Sequence, residues 1–357
     1  MTDCNFPVIR FAKSDSALIR GQKHGESYRS GIKELVEIRT SLMREKNPAL
    51  DDQIILRLAE EQWHATARFD QPLTDELSGI ADGADVSFAD VVILNNYTDF
   101  RDIQVDDQGC SLAYVNQQHG PIVGQTWDMH GSAKNYVCCI QIENEHSNSV
   151  LFSVVGCVGM MGFNDNGGML GVNNINTDGA KAGVMWPVIV RKVLEQKNLQ
   201  AMEKCLTESP KTSGHNYLIA VGDHAQMWEV APGCNDMVDQ KLPAENGFMF
   251  HTNHCLGQQM KLRETTISQN SSTQIRFDLL DQKIGAVSSL EQMHQLMNDH
   301  ENYPKSICSN FQTDAQDPSI TCGGAVGHLK TGKVIMWRGD QLYDDNFVEN
   351  EFDLSKS

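Results

Sequence analysis

The stretch DDQGCSLAY, residues 106–114, is where the texture of the chain changes. Upstream of it, apolar residues recur at helical spacing. In ESYRSGIKELVEIRTSLMREK (26–46), Ile32, Leu35, Ile38 and Leu42 form one stripe, and DDQIILRLAEEQWHATARF (51–69) carries a second. DELSGIADGADVSFADVVILNNY (75–97) predicts two short helices broken at Gly83. Downstream come short β-rich runs: SLAYV (111–115), PIVGQTW (121–127), YVCCIQI (136–142), SVLFSVV (149–155) and GMLGVNN (168–174). The turn-forming QQHG, NEHSNS and NDNGG separate them. The bond between Gly109 and Cys110 therefore divides a helical third from a β-rich remainder.

Further along, helices are expected over 184–198 and 199–207, then strands in HNYLIAVGD, AQMWEVAP and GFMFHTNH, helices near 272–298, and strands in SITCGGAVGHL and GKVIMWRGD. That alternation of strand groups with helix groups predicts an α+β fold, two packed antiparallel sheets with helices outside and an N-terminal helical segment. No GxGxxG follows a strand and no Walker loop is present, so no nucleotide cofactor is implied.

With 47 acids against 29 basic residues the formal charge is −18, which disfavours nucleic acid and anionic membranes and points to a small-molecule partner. No apolar run of spanning length and no secretory pattern is seen, so a soluble, cytoplasmic protein is expected. The ten cysteines contain no CxxC pair, which argues against a structural metal and for reduced thiols in the core. His251 and His254 in HTNH are expected on opposite faces of a strand end, a poor shared-zinc geometry. Cys138 and Cys139 alternate on a strand, one to the core and one to the surface. Ser213 and His215 lack a GxSxG elbow, so a serine triad fits poorly.

Cys110 is either one more buried thiol or the start of a new chain. If the bond after Gly109 is cut, one residue holds a thiol of pKa about 8.5 and an α-amine of about 7.7–8.0, a nucleophile with its own proton acceptor. Glycine on the carbonyl side leaves the approach of the sulfur unobstructed. Asp128 in QTWDMH stands one hairpin downstream, able to hold the amine. Asn173 and Asn253 sit at expected strand ends, where each is either a turn residue or an oxyanion donor. Trp127, beside Asp128, packs a core or walls a pocket.

The series GCSLAY, GQTWDMH, GFNDNGGMLGVNN, SGHNYLIA, WEVAP, HTNH and SSTQIRFDLL, in this order, resembles the peptidase C45 family of acyl-coenzyme A:6-aminopenicillanate acyltransferases, over about residues 80–339. The resemblance implies an N-terminal nucleophile hydrolase, a four-layer αββα sandwich. It implies self-cleavage between Gly109 and Cys110 into a small subunit (1–109) and a large one (110–357) that stay associated as one composite domain. Cys110 is then the nucleophile, Asp128 orients its amine, Asn253 supplies an oxyanion donor, Asn173 faces the substrate and Arg276 closes the site behind the nucleophile. The implied partner is a small amide or acyl donor, acyl-coenzyme A among the options, with no cofactor. Relatives carry arginine after SIC where this chain has Ser309, so Ser306 and its neighbours are expected to shape a different pocket. Two alternatives stand: a hydrolase of β-alanyl or other aminoacyl amines, and an unprocessed binding protein of the same fold.

Overall fold

The computed structural model describes residues 6–99, 109–145, 147–265, 267, 271–310 and 317–356. The short strand β1 (Val8–Phe11) precedes five helices: α1 (Ala17–Ser27), α2 (Arg29–Lys46), α3 (Asp52–Phe69), α4 (Gln71–Ala84) and α5 (Phe88–Asn96). Their starts are written in the sequence. Ser16, Asp51, Asp70 and Ser87 each accept a backbone N–H of the first turn, and Ser87 with Asp90 completes a capping box. The segment expected to run as one helix from Glu26 is divided at Tyr28, where α1 ends and α2 begins.

Gly83 does not break a helix. It lies inside α4, and the break falls at Asp85, which takes left-handed φ of 56°. Gly83 serves packing. A Cβ there would sit 2.4 Å from the carbonyl oxygen of Gln22, and one on Gly21 of α1 would sit 1.9 Å from that of Glu76. Gly21, Gly25, Gly79 and Gly83 thus let α1 and α4 touch backbone to backbone. The buried face of α2 comprises Ile32, Leu35, Val36, Arg39 and Met43, whereas Ile38 and Leu42 are only partly covered. The stripe is rotated from the expected one and includes a cation.

After Cys110 the strands follow: β2 (Leu112–Gln117), β3 (Gly120–His130), β4 (Val137–Ile142), β5 (Ser149–Val154), β6 (Met161–Asn164) and β7 (Gly168–Asn174). Helices α6 (Trp186–Leu194) and α7 (Leu199–Glu208) lead to β8 (His215–Val221), β9 (His224–Ala231), β10 (Cys234–Lys241) and β11 (Gly247–His251). Then come α8 (Gln258–Lys261), α9 (Thr273–Lys283), α10 (Leu290–Met297), β12 (Ser319–His328), β13 (Lys333–Arg338) and β14 (Val348–Asp353). They form an eight-stranded sheet, β1-β4-β5-β6-β7-β8-β9-β10, and a six-stranded one, β11-β2-β3-β12-β13-β14. The expectation of purely antiparallel sheets needs one correction: β1 pairs with β4 in parallel, because the chain reaches β4 only after the helices and the first hairpin of the other sheet.

The layers explain the apolar monotony of the strands. On β2, Leu112 and Tyr114 face the space between the sheets, while Ala113 and Val115 pack outward with Leu279 and Leu280 of α9 and Met293 of α10. Both faces are covered, so period two is not visible as polarity. Cys138 and Cys139 are both fully buried for the same reason, against the expected core and surface split. Among the described residues no helix is long and apolar enough to cross a membrane.

Candidate active site

β2 and β3 form the hairpin that carries the site, and their ladder extends to the chain junction. Asp128 N–H donates to the Gly109 carbonyl (2.8 Å) and Thr126 N–H to that of Ser111 (2.9 Å). Gly109 and Cys110 are thereby held beside Asp128. The next neighbour of β3 is β12, whose register shifts between Thr321 and Gly323, directly opposite Asp128 and Trp127. Such a bulge re-aims side chains. Thr321 Oγ1 donates to Asp128 Oδ1 (2.7 Å), and Ser309 Oγ reaches Oδ2 (3.3 Å).

Arg276 on α9 enters from the other side. Its Nη1 donates to the Cys110 carbonyl (2.7 Å) and Ser111 Oγ (3.1 Å), its Nη2 to Asn253 Oδ1 (2.7 Å), and its Nε to Ser272 Oγ (2.8 Å). Asn173 Nδ2 donates to the same Cys110 carbonyl (3.1 Å), and Asn173 Oδ1 accepts from Asn216 (2.9 Å). Asn253 follows β11 and presents its oxygen, not its amide, to Cys110. Cys110 N–H donates to Asn253 Oδ1 (2.9 Å), while Asn253 Nδ2 is spent on the Asn174 carbonyl (2.9 Å). Asn253 thus holds the N–H of the Gly109–Cys110 bond, and its amide is not free to act as the expected oxyanion donor.

The glycine is required sterically. A Cβ on Gly109 would lie 2.4 Å from Asp128 Oδ2 and 3.0 Å from Arg276 Nη2. Burial and the Asp128 charge push the Cys110 thiol up to about 12, opposed by Arg276 and by the backbone N–H groups of Asp128 and Asn174. Burial also raises the Asp128 carboxyl, against the pull of Arg276 and the Thr321 and Ser309 hydroxyls. A neutral thiol thus faces a carboxylate made more basic than usual.

Cys110, Gly109, Asp128, Trp127, Asn174 and Asn253 border one cavity of about 40 Å³. Arg39, Tyr97, Met129, Met160, Met161, Trp186 and His215 complete much of its wall. Of the predicted residues, Cys110, Asp128, Asn253, Asn173 and Arg276 meet around the junction. Ser306 does not line this cavity; its hydroxyl is buried and donates to the Cys308 carbonyl. Thr321, Asn174 and Arg39 were missed, and Ser309, expected only as part of a different pocket, bonds Asp128. Asn174 is adjacent to Asn173 in the same GVNN, but which of two neighbours turns its N–H to the thiol is not a sequence property.

Elsewhere, His251 and His254 are not on opposite faces. Their rings stack with centroids 6.3 Å apart, His251 bonded to Glu229 (2.7 Å) and His254 to Thr273 (3.0 Å). Among the described residues the one trio with metal-ligand spacing is His300, Cys308 and Asp340, already joined by hydrogen bonds to Asp340 of 2.9 Å and 3.5 Å.

Residues 115–336, more than half of the chain, match the family described as Acyl-coenzyme A:6-aminopenicillanic acid acyl-transferase. The chain belongs to this family. Over 343 residues it is 24% identical to the Acyl-coenzyme A:6-aminopenicillanic-acid-acyltransferase 40 kDa form of Emericella nidulans, with 92% of both chains covered. Among solved structures it is similar to a mutant conjugated bile acid hydrolase from Clostridium perfringens (11% identity, 70% of this chain and 93% of that one, TM-score 0.42). Penicillin V acylase from Agrobacterium tumefaciens gives 12% identity over 69% and 86%, with a TM-score of 0.36. As a member of the acyltransferase family the chain is an acyl-transfer enzyme, and its fold is α+β, two sheets with helices packed against them. The rival reading of a non-enzymatic binding protein is set aside.

Proposed function

We propose that this acyltransferase-family enzyme is made as an inactive precursor, cuts itself between Gly109 and Cys110, and then uses Cys110 as an N-terminal nucleophile. The carrying observation is the clamp on the scissile bond: Asp128 N–H on the Gly109 carbonyl and Asn253 Oδ1 on the Cys110 N–H. In the cut, the thiol passes its proton to Asp128 as sulfur bonds to the Gly109 carbonyl carbon, and Asp128 N–H steadies the oxyanion. The C–N bond breaks, the departing amine takes the proton from Asp128, and Gly109 is left as a thioester. Water hydrolyses it, releasing the Gly109 carboxylate and the free thiol.

Turnover then follows from the new α-amine. Freed beside Asn253 Oδ1 and Asp128, it takes the thiol proton, which the uncut chain holds at a pKa of about 12. The thiolate attacks a substrate amide or thioester carbonyl, the Asn174 N–H near the sulfur offers an oxyanion donor, and the leaving group collects the proton. Water or an acceptor amine resolves the acyl-enzyme. An acyl-coenzyme A donor is supported by the name of the Emericella nidulans relative. The fragments 1–109 and 110–357 would remain associated, since Arg39, Leu94 and Tyr97 of the first share the cavity wall with the second.

Intact mass and N-terminal sequencing of purified protein test this. A chain beginning Cys-Ser-Leu-Ala, absent from Cys110→Ala, is expected; amide hydrolysis retained by Cys110→Ala would remove the nucleophile assignment.

A further inference from the structure

We propose that the cavity beside Cys110 selects substrates bearing a carboxylate, which Arg39 of α2 pairs with. The inference rests on the nucleophile reading for its chemistry but on Arg39 for its substrate class. Arg39 is 2% exposed and lines the same cavity as Cys110 and Asn174. Its Nη1 donates to the Leu94 carbonyl (2.6 Å), and its guanidinium carbon lies 5.1 Å from the centre of the Tyr97 ring. Its Nε is buried without a hydrogen-bond partner. Among the described residues no carboxylate is within ion-pair distance of it.

The buried arginines Arg191 and Arg276 are different. Arg191 is 3% exposed and carries Glu76 at 2.8 Å and 3.2 Å. Arg276 lies beside Asp128, which offsets its charge. A buried cation without an anion is costly, and α2 places it in the helix face otherwise made of Ile32, Leu35, Val36 and Met43. The anion that no described residue provides is supplied when the cavity is filled. The apolar wall of Trp127, Met129, Met160, Met161 and Trp186 strengthens such a pair by excluding water, and a planar guanidinium matches a carboxylate in shape. The overall charge of −18 suggests a cationic substrate, but the group facing the cavity has the opposite preference. A cationic aminoacyl amine would be repelled here.

Binding to full-length Cys110→Ala protein and to the wild type, followed by tryptophan fluorescence and calorimetry, tests this without requiring scission or turnover. Failure to cut therefore leaves the result readable. Two pairs are compared: N-octanoylglycine against N-octanoylglycinamide, with the carboxylate on the leaving side, and N-octylsuccinamic acid against N-octylsuccinamide, with it on the acyl side. At least one acid is expected to bind about tenfold or more tighter than its amide, about 1.4 kcal/mol. Arg39→Gln should reduce that ratio below about threefold and Arg39→Lys should keep part of it, each with a near-native melting curve. If Arg39→Gln does not fold, the drop in Arg39→Lys is the readout. No acid preference in either pair, absence of binding by all four compounds, or a preference unchanged in the folded variants overturns the proposal.

Discussion

Gly109→Ala gives the most direct measure of the clamp at the junction. Gly109 is not among the positive-φ glycines, so alanine meets no backbone strain there. The obstacle is contact. The added methyl would lie 2.4 Å from Asp128 Oδ2 and 3.0 Å from Arg276 Nη2, against about 3.5 Å for a relaxed contact. The carboxylate must therefore retreat by about 1 Å from the place where it faces the Cys110 thiol. Overpacking of this kind costs about 1–3 kcal/mol of stability. A 1 Å error in a positioned catalytic group costs about 100-fold in rate. Protein synthesised in a cell-free system and quenched at intervals, with full-length and cut masses quantified, should show self-cleavage slowed about 100-fold in Gly109→Ala. Circular dichroism should confirm a folded chain. A folded Gly109→Ala protein that cuts at the wild-type rate would refute both the base assignment and the steric account of the glycine.

Thr321→Val keeps shape but removes the 2.7 Å donor to Asp128, an interaction with a charged group worth about 1.5–3 kcal/mol. The charged carboxylate is then less favoured, so the acidic limb of the cleavage pH profile should move to higher pH; a limb that stays or moves down contradicts the role of Asp128. Gly21→Ala places a methyl 1.9 Å from the Glu76 carbonyl and should lower unfolding stability by about 1–3 kcal/mol in urea titrations, whereas a loss under about 0.5 kcal/mol would show that α1 and α4 can part freely. His24 is buried neutral, its pKa lowered to about 4 by burial, and its Nε2 accepts the Gly156 N–H (2.8 Å). The unfolded chain binds a proton at about pH 6.5 and the folded one does not, so stability falls as pH drops from 6.5 towards 4, by up to about 3 kcal/mol. His24→Gln should flatten that slope; an unchanged slope assigns it to other groups.

Local signals were enough for much of the fold. The apolar stripes at helical spacing, the turns at QQHG and NDNGG, and the change of texture at Cys110 each act over a few residues, and they located most helices and strands, though not α1. They missed β10 (CNDMVDQK) and β14 (VENEFD), edge strands whose polar residues suit a half-exposed rim rather than an apolar run. They also misread Gly83, because a glycine that breaks a helix and one that lets two helices touch are the same letter.

What the sequence by itself determined is the family pattern and the residues it names around the junction: Gly109, Cys110, Asp128, Asn173, Asn253 and Arg276. Tertiary structure alone decided what each of them touches. The bulge opposite Asp128 brings Thr321 to its carboxylate, Asn253 turns its oxygen to the Cys110 N–H, and Arg39 comes from a helix far upstream into the cavity wall. Hydrogen-bond direction, and whether a buried cation meets an anion among the described residues, depend on which distant segments share a volume, and spacing along one chain does not encode that distance.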